Sequence, residues 1–458
     1  MSKSLFNDFQ EASSKQWKQL IQFDLKGEDY NDTLVWKTNE GIHVKPFYHA
    51  DELATPLGAF DPKASAWHIC QSIFVANVEN SNLKAIDAIN RGAEAIHFTL
   101  PATNIKIKDL LVNINLERTK VYIECQFLSS RFYTQMAAFP SHENLIFLND
   151  IIGNLIRTGN WFNSLESDHE HFENNVYQTG MFSVDTATYQ NAGATVVQQL
   201  AYGLAHANEY LNYLNTRLSP EEKPHIKTTF KVAVGTNYFF EIAKLRALRI
   251  LWKTLASEYQ MPEDCILYVA PTKRNKTLYD YNTNMLRTTT ECMSAILGGA
   301  NAICNLPYDA IYHKDNEFGE RIARNQLLIL KHECYFDKVH NPSDGAYYIE
   351  SLTEQVSEKA LALFKDIEAN GGFLHQLKAG IIQKKIKESA AKEQEQFNKG
   401  EITLLGTNKH PNKQDKMKAD LELYPFVKTN PVKTLIEPII EKRLSEAMEK
   451  ERLNSENV

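Results

Sequence analysis

The six cysteines of this 458-residue chain, Cys70, Cys125, Cys265, Cys292, Cys304 and Cys334, form no C-x-x-C pair. That spacing excludes a zinc ribbon or a disulfide framework and fits a reducing, cytoplasmic compartment. No stretch approaches ~18 uninterrupted apolar residues, which excludes a membrane-spanning helix. The opening MSKSLFNDFQEASSKQ has neither an apolar core nor a small-residue cleavage site, so no secretory leader is expected. Positive charge is not in excess: Lys plus Arg total 50 against 57 for Asp plus Glu, a net charge of −7. A nucleic-acid binder acting by counterion release is therefore not expected. G-x-x-x-x-G-K-[ST] and G-x-S-x-G do not occur, and no Gly-rich dinucleotide fingerprint stands near the start. Hydrophobic residues at 43% and charged residues at 23% leave an ordinary globular chain.

What is present is a rhythm. Short runs rich in Val, Ile, Phe and Tyr alternate with longer stretches of helical period. Eight candidate strands run His68 to Ala76, Ala93 to Leu100, Val121 to Phe127, Asn144 to Asn149, Met181 to Asp185, Ile226 to Gly235, Cys265 to Ala270 and Asn301 to Leu306. Several lack strict alternation, as strands covered on both faces do. The clearest helices are Asn191 to Leu214 and Tyr238 to Tyr259; in the second, Lys244, Arg246 and Lys253 interrupt a wide apolar stripe. Eight strands each followed by a helix predict an α/β fold, a (β/α)8 TIM barrel, with a doubly wound sheet as the alternative.

Flanking segments complete the expected architecture: residues 1–50 as an N-terminal arm and leading segment, 51–340 as the barrel, and 341–458 as a C-terminal helical extension. In the arm, Ser13 and Gln16 fit a capping box, and Trp17, Leu20, Ile21 and Leu25 form one face, which suits either the chain's own barrel or a partner subunit. Beyond the barrel, Leu352 to Glu368 and Leu374 to Phe397 predict two helices joined at Asn370-Gly371-Gly372. Thr407 to Lys418 reads as a polar linker, and Glu437 to Leu453 as a last helix.

Chemistry in a barrel sits at the C-terminal ends of its strands, where Asp150, Asp185, Asn237, Thr272 and Asp309 fall. The densest histidine cluster, His169-Glu170-His171, has i,i+2 spacing, which zincin motifs do not use, and predicts a solvated helix or loop. Gly298-Gly299 reads as a helix C-cap.

Long segments resemble the methylmalonyl-CoA mutase family. They are EGIHVKPFYHADE (Glu40 to Glu52), YQNAGATVVQQLAYGLAHANEYL (Tyr189 to Leu211), GTNYFFEIAKLRALRILW (Gly235 to Trp252), RTTTECMSAILGGANAICNLPYDA (Arg287 to Ala310) and the stretch from Asn341 to Gly372. The resemblance implies a barrel that takes acyl-CoA. It also implies radical interconversion of methylmalonyl-CoA and succinyl-CoA with adenosylcobalamin, whose cobalt is held by a histidine of D-x-H-x-x-G.

Four departures then count. D-x-H-x-x-G does not occur in these 458 residues. The family's tyrosine-bearing Y-x-x-R-P-W-T-I-R-Q-Y-A-G is replaced by ADELATPLGAFDPKASAWHIC (Ala50 to Cys70). Counting back from Arg287, the family's histidine and glutamine of H-C-Q-T-S-G fall on Tyr268 and Ala270, and its carboxylate-gripping arginine falls on Lys227. Lysine keeps the charge without the planar fork. The resemblance therefore implies the family's small subunit, with no catalytic, cofactor-binding or metal-binding residues of its own. It implies a heterodimer in which the large subunit carries adenosylcobalamin and acyl-CoA and the small subunit stabilises it, with Trp17, Leu20 and Ile21 as candidate contacts. The alternative is a divergent acyl-CoA isomerase served by a separate cobalamin-binding protein. Neither reading involves nucleic acid or membrane.

Overall fold

The computed structural model describes residues 11–53, 66–137, 139, 144–428 and 432–456. Eight strands form one parallel sheet: β1 (His68–Phe74), β2 (Ala95–Leu100), β3 (Lys120–Cys125), β4 (Leu145–Phe147), β5 (Met181–Asp185), β6 (Lys227–Val234), β7 (Cys265–Pro271) and β8 (Ala302–Cys304). Their order is β4-β3-β2-β1-β8-β7-β6-β5. The pairing of β1 with β8, with Cys70 opposite Cys304, joins the two halves. This is the (β/α)8 barrel expected from the alternation, and not a doubly wound sheet.

Only the seam between β4 and β5 carries no backbone ladder among the described residues. It is closed by side chains instead. The Phe147 N–H donates to Met181 Sδ at 3.3 Å, and the Asp185 N–H donates to the Asp150 carboxylate at 2.7 Å. Asp150 also caps the helix Ile151–Thr158 by accepting the Gly153 N–H at 2.7 Å. A side chain that caps a helix and bridges a seam replaces backbone bonds that a three-residue strand cannot make.

The helix Val196–Asn215 opens with a Thr195/Gln198 capping box, so its start falls later than the pattern predicted, after the left-handed Gly193 at φ 95°. In Tyr238–Glu258 two of the three interrupting cations, Lys244 and Arg246, are buried, not turned to solvent. Lys244 pairs with Glu241 and donates to Gln190, Gln199 and the Ala233 carbonyl; Arg246 pairs with Asp344 and Glu350. A buried charge is tolerated when it is paired and fully hydrogen-bonded. Lys253 is exposed beside Glu263.

After the barrel, Tyr347–Ala369 packs on the two preceding long helices. The predicted second helix is divided into Phe373–Lys378 and Ile381–Asn398 by the left-handed Gly380. The last helix is also corrected, to Glu446–Ser455. The residues before it instead run as a strap over the C-terminal end of the barrel. Leu435 and Ile436 donate to the Gly159 carbonyl, Ile439 to Ile156, Lys442 to Asn191 and Leu444 to Arg274. Pro438 has no N–H to give a helix, and these five amides of the strap find partners on the barrel loops. Among the described residues no helix is long and apolar enough to cross a membrane.

Candidate functional site

Strands β2 and β7 are separated in the sheet by β1 and β8, so side chains that touch between them must cross the bore. Tyr268 on β7 does so: its Oη lies 2.8 Å from His97 Nδ1 on β2. Its ring also packs at 4.9 Å on Tyr122 of β3. All three are buried. Lys231 of β6 reaches across to Glu124 of β3, with Nζ 2.9 and 2.8 Å from the two carboxylate oxygens. The chain of contacts continues without a gap. His97 Nε2 lies 3.1 Å from Glu124, off the line of a hydrogen bond; Lys231 is 3.4 Å from Asp185, and Arg157 is 2.9 Å from Asp185.

The electrostatics are those of a settled network. Burial alone pushes the Glu124 carboxyl up, but Lys231 and His97 hold it well below its ordinary value. Burial also opposes charge on His97 and Lys231, yet both are raised, His97 by Cys304 and Glu124 and Lys231 by Asp185 and Glu124. Alternating cations and carboxylates keep each other ionised. His97 Nδ1 and the Tyr268 hydroxyl share one hydrogen bond.

Asp150, at the end of β4, is a second hub. Besides the two backbone amides already described, it accepts from Tyr210 Oη at 2.6 Å and contacts His206 Nε2 at 2.9 Å. Burial would raise its carboxyl, but His206, Tyr210 and the Asp185 amide lower it to about 2.

What space remains at this mouth is a cavity of about 20 Å³ lined by Glu124, Asp150, Arg157, Asp185 and Lys231 among others. A single water needs roughly 10–15 Å³ on this measure, whereas ligand clefts run to ~300–1,000 Å³. The bore is full.

Of the residues singled out from the sequence, Tyr268 sits at the centre of this network, and Ala270 lies two residues further along the same strand, half-buried. Lys227 is exposed at the first residue of β6. Four residues at ~3.3 Å each put it about 13 Å along the strand from Lys231, so it takes no part in the network. The cation in the bore is Lys231, concealed in the sequence by the apolar run around it. Asp150 and Asp185 meet at the mouth. Thr272 donates to Asn191 at 2.6 Å, Asp309 holds His313 and Asn316, and Asn237 precedes a helix without a side-chain cap bond. His169 is buried, contrary to expectation, with Nδ1 2.8 Å from the Leu165 carbonyl and its ring against Trp161; His171 contacts Ser130. Among the described residues no His, Cys, Asp and Glu cluster suits a metal ion. The replaced tyrosine-bearing segment includes residues 54–65, which lie outside the described residues.

The arm is an 11-residue helix, Ser14–Asp24, in which no residue is buried. Trp17, Leu20 and Phe23 are 46%, 60% and 80% exposed, whereas Ile21 and Leu25 are half-buried. Its outward apolar face is thus Leu20 and Phe23 beside Trp17, with Ile21 turned partly aside.

The model of the family described as methylmalonyl-CoA mutase matches residues 141–453. The chain is 32% identical over 444 residues to the methylmalonyl-CoA mutase small subunit of Porphyromonas gingivalis, covering 90% of this chain and 71% of that one. It is 26% identical to the methylmalonyl-CoA mutase small subunit of Streptomyces virginiae, covering 89% and 72%. It is 29% identical to the methylmalonyl-CoA mutase of Cereibacter sphaeroides, covering 86% of this chain but 64%, less than two thirds, of that one.

Proposed function

This chain belongs to the methylmalonyl-CoA mutase family, and from that membership we propose that it is the small, non-catalytic subunit of a heterodimer. It stabilises a large subunit that carries adenosylcobalamin and interconverts methylmalonyl-CoA and succinyl-CoA in the cytoplasm. The observation that carries this reading is the side-chain network that crosses the bore and closes it towards the C-terminal ends of the strands. Tyr268, His97, Tyr122, Glu124 and Lys231 occupy the axis along which a pantetheine arm would lie.

Cobalamin does not fit the residues at the barrel's mouth. Adenosylcobalamin supplies a radical when it is bound, but the buried histidines of the network are committed elsewhere: His206 to Asp150 and Tyr189, and His97 to Tyr268 and Glu124, while His313 is held by Asp309. The strap of residues 435–444 also crosses the loops after β4, β5 and β7. No chemical step is therefore assigned to this chain. Its contribution is mass action, because a partner that binds only folded, assembled chains raises their stability.

Co-expression with a large subunit from the same source tests the proposal. A 1:1 complex that survives gel filtration, with slower loss of mutase activity than the large subunit shows alone, is the expected result. Two chains that elute separately, and a large subunit whose lifetime is unaffected, would contradict it.

A further inference from the structure

The exposed arm continues into a strip of rings along the flank of the barrel. Trp17 stacks on Phe47 with centroids 4.3 Å apart; the next residue, Tyr48, packs at 5.1 Å on Tyr348, and Tyr348 at 5.3 Å on Phe239. Adjacent to Phe239, Phe240 meets Trp36 at 5.9 Å. Phe239 and Trp36 are 46% and 53% exposed. Aromatic surface of this extent, held in place by ring-on-ring contacts, is the composition of interface centres.

We propose that this strip, Phe239 and Trp36 together with the arm, is the seat of the catalytic chain of the same family, an inference that rests on the functional reading above. Two arguments identify the occupant. The first is area. With large apolar side chains of roughly 150–250 Å² each, the exposed parts of Trp17, Leu20, Phe23, Trp36 and Phe239 amount to about 600 Å². A monomer's largest apolar patch is ~300–600 Å² and a standard interface needs ~800 Å² per partner, so the strip supplies most of one protein–protein interface. The second is continuity. The arm is too short to persist as a free helix, since isolated helices under ~12–15 residues are marginal. None of its residues is fully buried, Ile21 and Leu25 being half-buried, and its contacts among the described residues include the Trp17–Phe47 stack, the Ser14–Asp51 hydrogen bond and Lys18 over Tyr30. A surface that covers both arm and strip gives that helix its missing face.

The test uses the full chain with its large subunit and compares Trp36→Ser/Phe239→Ser with Leu286→Ser, a control at a 68% exposed position on the Thr283–Leu297 helix. Dissociation constants come from calorimetry, and melting of each isolated variant checks folding. The expected result is affinity about 30-fold or more weaker for the double variant and unchanged for the control. Hydrogen exchange of residues 36–48 and 236–242 should slow in the wild-type complex. A complex that forms normally with the double variant, at affinity within twofold of wild type and with no change in exchange, overturns the strip while leaving the small-subunit reading in place. Absence of any complex with the wild-type chain overturns both. Self-association that the double variant abolishes, in place of heterodimer formation, overturns the identity of the occupant.

Discussion

Tyr268 Oη and His97 Nδ1 stand 2.8 Å apart across the interior of the barrel, on strands with two others between them. A hydrogen bond that spans a barrel in this way is incompatible with a ligand along the axis. It makes the centre of the sheet a packed core, as in barrels whose interior is filled by layers of side chains.

Shortening Tyr268 therefore costs stability without creating an enzyme. Tyr268→Ala leaves a cavity among Tyr122, His97 and Cys304 and is expected to lose about 3–5 kcal/mol. Tyr268→Phe, which keeps the volume but leaves the buried His97 Nδ1 without its partner, is expected to lose ~1–3 kcal/mol. Urea unfolding at neutral pH measures both, and the Phe variant should be the milder.

Acid should unfold the protein partly through Asp150. Its folded value of about 2 lies below the ordinary 3.8, so the unfolded chain takes up the proton first. The contribution is present above pH ~4, falls as pH drops towards 2, and is worth about 2 kcal/mol at neutrality. His97 runs in the opposite direction, because its folded value is raised. Its contribution is full below pH ~6.5 and is lost as pH climbs through the folded value. Unfolding free energies from pH 2 to 8 for wild type and Asp150→Asn should differ by less at the acid end than at neutrality.

Lys231 and Glu124 should behave as a unit. Removing one partner of a largely buried pair leaves an uncompensated charge, so Lys231→Met and Glu124→Leu are each expected to lose about 3 kcal/mol. The double variant should recover much of that. Asp185 and His97 also face the pair, so recovery is expected to be incomplete. A double-mutant cycle in urea reads the coupling.

The arm should be dispensable for the barrel and not for assembly. Truncation of residues 1–28 spares buried Tyr30 and removes a helix with no buried residue. The thermal midpoint of the isolated chain should stay within a few degrees of wild type, while affinity for the large subunit falls.

The barrel was legible because its strands are short apolar runs separated by helix-length segments, a pattern set by local geometry. Their ends were less so. Asn301 to Leu306 became Ala302–Cys304, and Asn144 to Asn149 became Leu145–Phe147, because pairing across neighbouring strands decides where a ladder stops. The charged network was hidden for a related reason. Lys231 sits in KTTFKVAV, where period and composition indicate a buried strand but give no sign of Glu124 more than a hundred residues away. Tyr268 is marked in the sequence only by its place in a family motif. Glu437 to Leu453 predicts a helix because it is rich in helix formers; the loops that take the strap's amides are distant in sequence. Phe23 lies off the face that Trp17, Ile21 and Leu25 set by their spacing, and solvent covers that side.

The most direct measurement is on the purified chain alone, supplied with adenosylcobalamin and methylmalonyl-CoA. The account predicts no retained corrin absorbance after desalting and no succinyl-CoA. Tight retention of the corrin with turnover of the thioester, in the absence of any large subunit, would contradict it.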